Sequence, residues 1–75
     1  MNQAIQFVDR YTYIVERNAI QFEAIASGLI VYCFIKHNGD QVEEYLNQNK
    51  FDLEEQATEL IENEDYNELG EIWLK

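Results

Sequence analysis

Apolar residues in this chain follow two different periods, and the change between them divides it. From Ala4 to Val8 the pattern alternates, with Ile5 and Phe7 on one side and Gln6 on the other, which predicts a short strand. Ala19 to Ala26 alternates more clearly. Ile20, Phe22, Ala24 and Ala26 point one way, Gln21, Glu23 and Ile25 the other. Ser27-Gly28 supplies a tight turn, and Leu29 to Lys36 returns as the second arm of a hairpin. Asp9 to Asn18 is ambiguous: Tyr11, Tyr13 and Val15 share a strand face, but their charged neighbours favour a loop with some extended structure.

Both faces of the Leu29–Lys36 strand are apolar, Leu29, Val31, Cys33 and Ile35 on one and Ile30, Tyr32 and Phe34 on the other. A strand wetted on one side alternates with polar residues, and this one does not. Two short helices can hardly cover both sides of a sheet. A homodimer or an obligate partner is therefore expected, with Tyr32, Phe34 and Trp73 as the apolar interface candidates.

After Asn38-Gly39 the period becomes helical. Asp40 is placed to cap a helix, with Glu43 completing a capping box, and Val42, Tyr45 and Leu46 form its apolar stripe. Asn47-Gln48-Asn49 predicts a break. Asp52 and Glu55 repeat the cap signature for a second helix, whose stripe is Leu53, Ala57, Leu60 and Ile61. The two stripes stay roughly in phase, so one long bent helix is the competing reading. Asn63 to Gly70 is a polar connection, and Glu71 to Leu74 a final strand anchored by Trp73. The expected fold is α+β: a small antiparallel sheet of three to four strands with two C-terminal helices, or one bent helix, on one face. Residues 1–75 form a single domain, β-rich over 1–38 and helical over 39–75.

Charge sharpens this division. Residues 1–38 hold three acids and three bases, whereas residues 39–75 hold twelve acids against Lys50 and Lys75, the whole of the formal charge of −10. Such a field repels nucleic acid and membranes and attracts basic proteins. Added salt should stabilise the fold by screening self-repulsion. Taking about 100° per residue from Glu54, Glu55 lies near 100°, Glu59 near 140° and Glu62 near 80°, opposite the apolar arc. Neighbouring carboxylates on such a face stand roughly 5–6 Å apart at Cβ, a scale similar to phosphates along a nucleic-acid strand. Glu43, Glu44, Glu64, Asp65 and Glu68 would extend the row.

Little points to catalysis or a cofactor. His37 sits at a turn without a placed nucleophile, and Cys33 lies on an apolar strand as a small hydrophobe. The acidic run Glu62–Glu68 lacks the spacing and central glycine of a calcium loop, so no metal is expected. A single cysteine, no signal-peptide pattern at the start and no apolar run long enough for a bilayer lead to the expectation of a soluble, cytoplasmic protein.

The opening Met1-Asn2-Gln3-Ala4-Ile5-Gln6-Phe7 with Asp9-Arg10 resembles the start of YrdB-like proteins, a small proteobacterial family of unknown function. The resemblance continues at Phe22, Ala24, Gly28, Cys33 and Ile35. It is strongest at Phe51-Asp52-Leu53-Glu54-Glu55, Ala57, Leu60-Ile61 and Gly70, Ile72-Trp73-Leu74. It implies an α+β fold with C-terminal helices and carries no catalytic residues. This chain is shorter than the family pattern between Ile35 and Asp40, where relatives have a further strand, and between Leu46 and Phe51. The lost strand is expected to leave sheet exposed, and a trimmed, acidic variant suggests a phage or mobile-element origin.

These readings converge on a non-enzymatic protein that binds a basic, nucleic-acid-binding partner, without touching nucleic acid itself, as an anti-defence inhibitor mimicking phosphates. The alternative is a housekeeping adaptor or regulatory subunit that uses the apolar sheet face.

Overall fold

The hairpin at the centre forms as the alternation predicts: β2 (Ala19–Ala26) pairs antiparallel with β3 (Leu29–Lys36), from Ala19 opposite Lys36 to Ala26 opposite Leu29. Its two-residue turn places Ser27 at φ 53° and Gly28 at φ 79°, the backbone that matches strand twist in a tight hairpin. The computed structural model describes residues 5–75. Ala4, the expected first residue of the opening strand, and the first four residues of the family resemblance lie outside them.

β1 (Ile5–Ile14) is twice the expected length and pairs antiparallel with β2. The ambiguous segment after Val8 is strand as far as Ile14. Pairing steps from Val8–Glu23 directly to Tyr11–Phe22, so Asp9 and Arg10 form a bulge. Two extra residues preserve the alternation, and Ile5, Phe7, Tyr11 and Tyr13 all face the core. The charges that argued for a loop are those the bulge ejects. A 3-10 turn, Val15–Arg17, and a left-handed Asn18 (φ 49°) then reverse the chain into β2.

Of the two readings, two helices or one long one, the second holds: α1 (Val42–Glu62) is a single helix with no break at Asn47–Asn49. Asn49 turns its side-chain amide inward and donates to the Tyr45 carbonyl at 2.9 Å, satisfying itself without leaving the helix. The helix is held by a stripe that runs its whole length: Leu53, Ala57 and Ile61 are fully buried, with Val42, Tyr45, Leu46 and Leu60 packed beside them. Asp40 is not the cap. Its backbone N–H is taken by Asn38 Oδ1 at 2.9 Å, and Gln41, left-handed at φ 53°, occupies the cap position without a side-chain bond. A left-handed residue between them carries the Asp40 carboxylate away from the helix start, so the capping box does not close. Asp52 lies inside the helix and caps nothing.

The helix ends in a Schellman arrangement: Glu64 N–H donates to the Ile61 carbonyl at 3.0 Å and Asp65 N–H to that of Leu60 at 2.9 Å, with Glu64 at φ 56°. β4 (Ile72–Trp73) then joins the sheet beside β3, giving the order β1-β2-β3-β4. It runs parallel to β3, so the sheet is mixed rather than wholly antiparallel. The neighbour position next to β3 is thereby filled, and the sheet's edges are β1 and β4. The core lies between the sheet and α1, where Ile20, Phe22, Ala24, Val31, Cys33, Ile35, Ile72 and Leu74 meet the helix stripe. Fold and layering are α+β with helix on one face, as expected.

Candidate functional site

Since α1 covers one face of the sheet, the molecule presents two unlike surfaces: the outer side of the helix and the open side of the sheet. On the helix, Glu44, Glu55, Glu59 and Glu62 point away from the core within about 60° of arc and are exposed. Glu64, Asp65 and Glu68 follow in the exposed loop beyond its end. Two of the expected acids depart from this row. Glu54 is half-buried and turned toward β1, where its charge acts on Tyr11. Glu43 lines an open cleft of roughly 540 Å³ with Asp9, Tyr11, Val42, Leu46 and Lys50.

Sequence reasoning missed Phe51. Its ring is 84 % exposed on the outer side of α1, one turn before Glu55. The signal was available, because continuing one helical phase through residues 47–49 puts Phe51 opposite the apolar stripe. The expected helix break concealed it. Glu44 and Glu55 are eleven residues apart, about 16 Å along the axis, with Gln48 and Phe51 between them. The face is an exposed aromatic side chain followed by the carboxylates of Glu55, Glu59 and Glu62, with Glu44 about 10 Å before it, more than a continuous row of carboxylates.

The apolar candidates divide. Phe34 is 2 % exposed and stacks on Trp73 with ring centroids 4.8 Å apart and planes 15° off parallel. The Arg17 guanidinium lies over both rings, at 4.7 Å from Phe34 and 5.4 Å from Trp73, and the Lys36 ammonium is 5.3 Å from Trp73. Phe34 is therefore already covered by its own chain and Trp73 partly so. Tyr32 is 43 % exposed and remains available, with Ile30 beside it at 57 %.

Glu71 fixes this cluster. It accepts from Arg17 Nη1 at 2.8 Å, Asn67 Nδ2 at 3.0 Å and Trp73 Nε1 at 3.1 Å. These bonds, the one from Arg17 foremost, hold its carboxyl down at about 2.

The groups capable of chemistry are otherwise occupied. Cys33 is 0 % exposed, and burial pushes its thiol up to about 12, far from a thiolate nucleophile. His37 is half-buried: its ring packs on Tyr45 and its Nδ1 accepts the Gly39 N–H at 3.0 Å. Tyr11 Oη is shielded and has no hydrogen-bond partner. Burial first, then the charges of Glu54 and Asp9, raise its pKa to about 12. No helix among the described residues is long and apolar enough to cross a membrane.

Residues 5–74 match the family model described as a protein of unknown function, DUF1488. The chain belongs to the DUF1488 family. Within DUF1488, it is 34 % identical over 84 aligned positions to the uncharacterized protein YrdB of Escherichia coli K12, covering 99 % of both chains. The YrdB of Shigella flexneri matches to the same degree. A crystal structure of a DUF1488 protein of unknown function from Shewanella loihica superposes with a TM-score of 0.86 at 32 % identity, over 99 % of this chain and 94 % of the other. The DUF1488 fold is thus the one described above, and family membership carries no activity with it.

Proposed function

We propose that this protein is a non-enzymatic interaction module that binds a basic protein through the outer face of α1. The observation that carries the reading is the exposed Phe51 ring set among Glu44, Glu55, Glu59 and Glu62 on one rigid helix. An aromatic anchor flanked by charge suits a binding surface: the ring supplies affinity when it enters an apolar cleft, and the carboxylates beside it supply steering and register. The partner that fits is a cationic protein surface with an apolar recess. Mimicry of nucleic-acid phosphates is the sharper form of this reading. It draws on the closely spaced Glu55, Glu59 and Glu62, continued by Glu64 and Asp65.

The test is capture of proteins from a native cell lysate on immobilised protein, at low and high salt and with or without duplex DNA. The expected result is a basic protein that is released by salt, is lost with the triple variant Glu55→Lys, Glu59→Lys, Glu62→Lys, and is weakened at least tenfold by Phe51→Ala. Displacement of that protein by DNA supports phosphate mimicry. Retention with DNA present confines the interaction to a basic surface outside any nucleic-acid groove. Capture that survives both high salt and the triple reversal overturns the reading and points to the adaptor role through the sheet.

A further inference from the structure

We propose that the outer edge of β1, with the cleft that opens between it and α1, binds an extended segment of a partner protein that carries a lysine or arginine. The direction of the backbone groups along β1 follows from the ladder, because a strand residue sends its N–H and C=O to the same side and its neighbour to the other. Leu74 N–H donates to the Phe34 carbonyl, so even-numbered residues of β3 face β4 and odd-numbered ones face β2. The bond from His37 N–H to the Asn18 carbonyl agrees with this phase. Carried through the pairing of β2 with both neighbours, it turns the backbone of Gln6, Val8, Thr12 and Ile14 toward β2. The N–H and C=O groups of Ile5, Phe7, Tyr11 and Tyr13 therefore point outward, and among the described residues no strand lies beyond them. A free row of that kind is complemented by another extended backbone.

The cleft of roughly 540 Å³ beside this edge selects the side chain. Its lining comes from β1 and the first half of α1 alone, so it lies at the rim of the sheet and not beneath its centre. Tyr11 and Tyr13 face α1, and residues paired directly opposite them on an added strand send their side chains to that same face, toward the cleft. Val42 and Leu46 give the cleft an apolar wall, while Asp9 and Glu43 give it a negative one. Lys50 Nζ, 3.5 Å from Asp9 Oδ1, offsets only one of these carboxylates. Glu54, half-buried and turned toward β1, adds a further negative charge next to Tyr11. A cation on an aliphatic stem meets both walls at once. Glu43 and Glu54 are the two acids that depart from the outer row of α1, so this site is separate from the surface proposed there and does not depend on it.

A second copy is the poorer occupant. Paired along this edge, it brings its own Asp9 and Glu43 against the same acids, and like charges facing each other across strands destabilise the pair. The Asp9-Arg10 bulge interrupts the edge, which guards it against indiscriminate strand addition and confines pairing beside the cleft to Tyr11–Ile14. The bound segment is therefore short, its backbone held by Tyr11 and Tyr13 and its choice of side chain made by the cleft.

A nuclear magnetic resonance titration of the full chain with an end-blocked peptide of alternating valine and lysine tests this, at about 0.15 M salt to screen diffuse attraction. A peptide of the same sequence, methylated at every backbone nitrogen, keeps the charge and loses the donors. The expected result is that the amide protons of Tyr11 and Tyr13 shift downfield and gain protection from exchange, while those of Thr12 and Ile14, already paired with β2, change little. The methylated peptide should bind about tenfold more weakly, and so should the plain peptide to Glu43→Lys. Glu59→Lys, the same change in net charge on the outer side of α1, should weaken it far less. Glu43 and Glu59 are both exposed, so both variants keep the fold. No binding overturns the proposal, as do shifts confined to the outer side of α1, equal binding of the methylated peptide, or equal effects of Glu43→Lys and Glu59→Lys. Shifts at Tyr11 and Tyr13 that grow with protein concentration in the absence of peptide overturn it in favour of a second copy.

Discussion

Arg17 Nη1 donates to Glu71 Oε2 at 2.8 Å, joining the turn after the first strand to the start of the last, 54 positions away. That bond, with those from Asn67 and Trp73, locks the short β4 in place and keeps Trp73 stacked on Phe34. Two residues of strand pairing are too few to hold a C-terminal segment alone, so much of the stability of this corner rests on one carboxylate.

Glu71→Gln should therefore lower stability at pH 7 by about 1–3 kcal/mol, the scale of charge-assisted hydrogen bonds. The pH dependence follows from the folded value of about 2 against an ordinary carboxyl near 4.3. A depressed folded pKa stabilises in full above the unfolded value and is lost as pH falls through the folded one. Urea denaturation from pH 7 to pH 2 should show the gap between the unaltered chain and the variant constant above about pH 5.5 and shrinking toward pH 2. A gap that is independent of pH would remove Glu71's charge from the account.

Glu64 offers the opposite case. It holds the left-handed position that ends α1, at φ 56°, where a side chain costs roughly 1 kcal/mol and glycine is the usual occupant. Glu64→Gly should stabilise the fold by about 0.5 kcal/mol once the added freedom of the unfolded chain is deducted. Thermal unfolding should show a rise of a few degrees. A fall would mean that the Glu64 side chain contributes contacts worth more than the strain.

Cys33 should be chemically silent while the protein is folded. Full burial and a thiol pKa near 12 leave almost no thiolate at pH 8. A thiol reagent such as Ellman's should react at the rate at which the chain opens, and stoichiometrically within seconds in denaturant. Fast labelling of the native protein would show that β3 opens locally beneath α1.

Several elements were legible because one local cause fixed each of them. The alternation of Ile20, Phe22, Ala24 and Ala26, with Ser27-Gly28 after it, specifies a hairpin without reference to anything distant. The family likeness, the α+β class and the burial of Cys33 were also readable from the chain. The β1 bulge was not, because Asp9 and Arg10 look like loop residues until β2 pairs on either side of them. The unbroken α1 was not, because Asn47–Asn49 are poor helix formers whose cost is met by packing of the stripe against the sheet. Phe34 and Trp73 read as free apolar surface, and only the long-range Arg17–Glu71 pair placed a guanidinium over them.

By itself, then, the sequence determined periodicity, the central hairpin, the imbalance of charge and the presence of an acidic helix face, because each depends on neighbours in the chain. Tertiary structure alone decided which acids share a surface, that Glu54 and Glu43 turn toward β1, that Phe51 stands exposed among the others, and that the last strand runs parallel. Those outcomes depend on how a single helix is rotated against one face of a sheet, and that rotation is set by contacts between residues far apart in the chain.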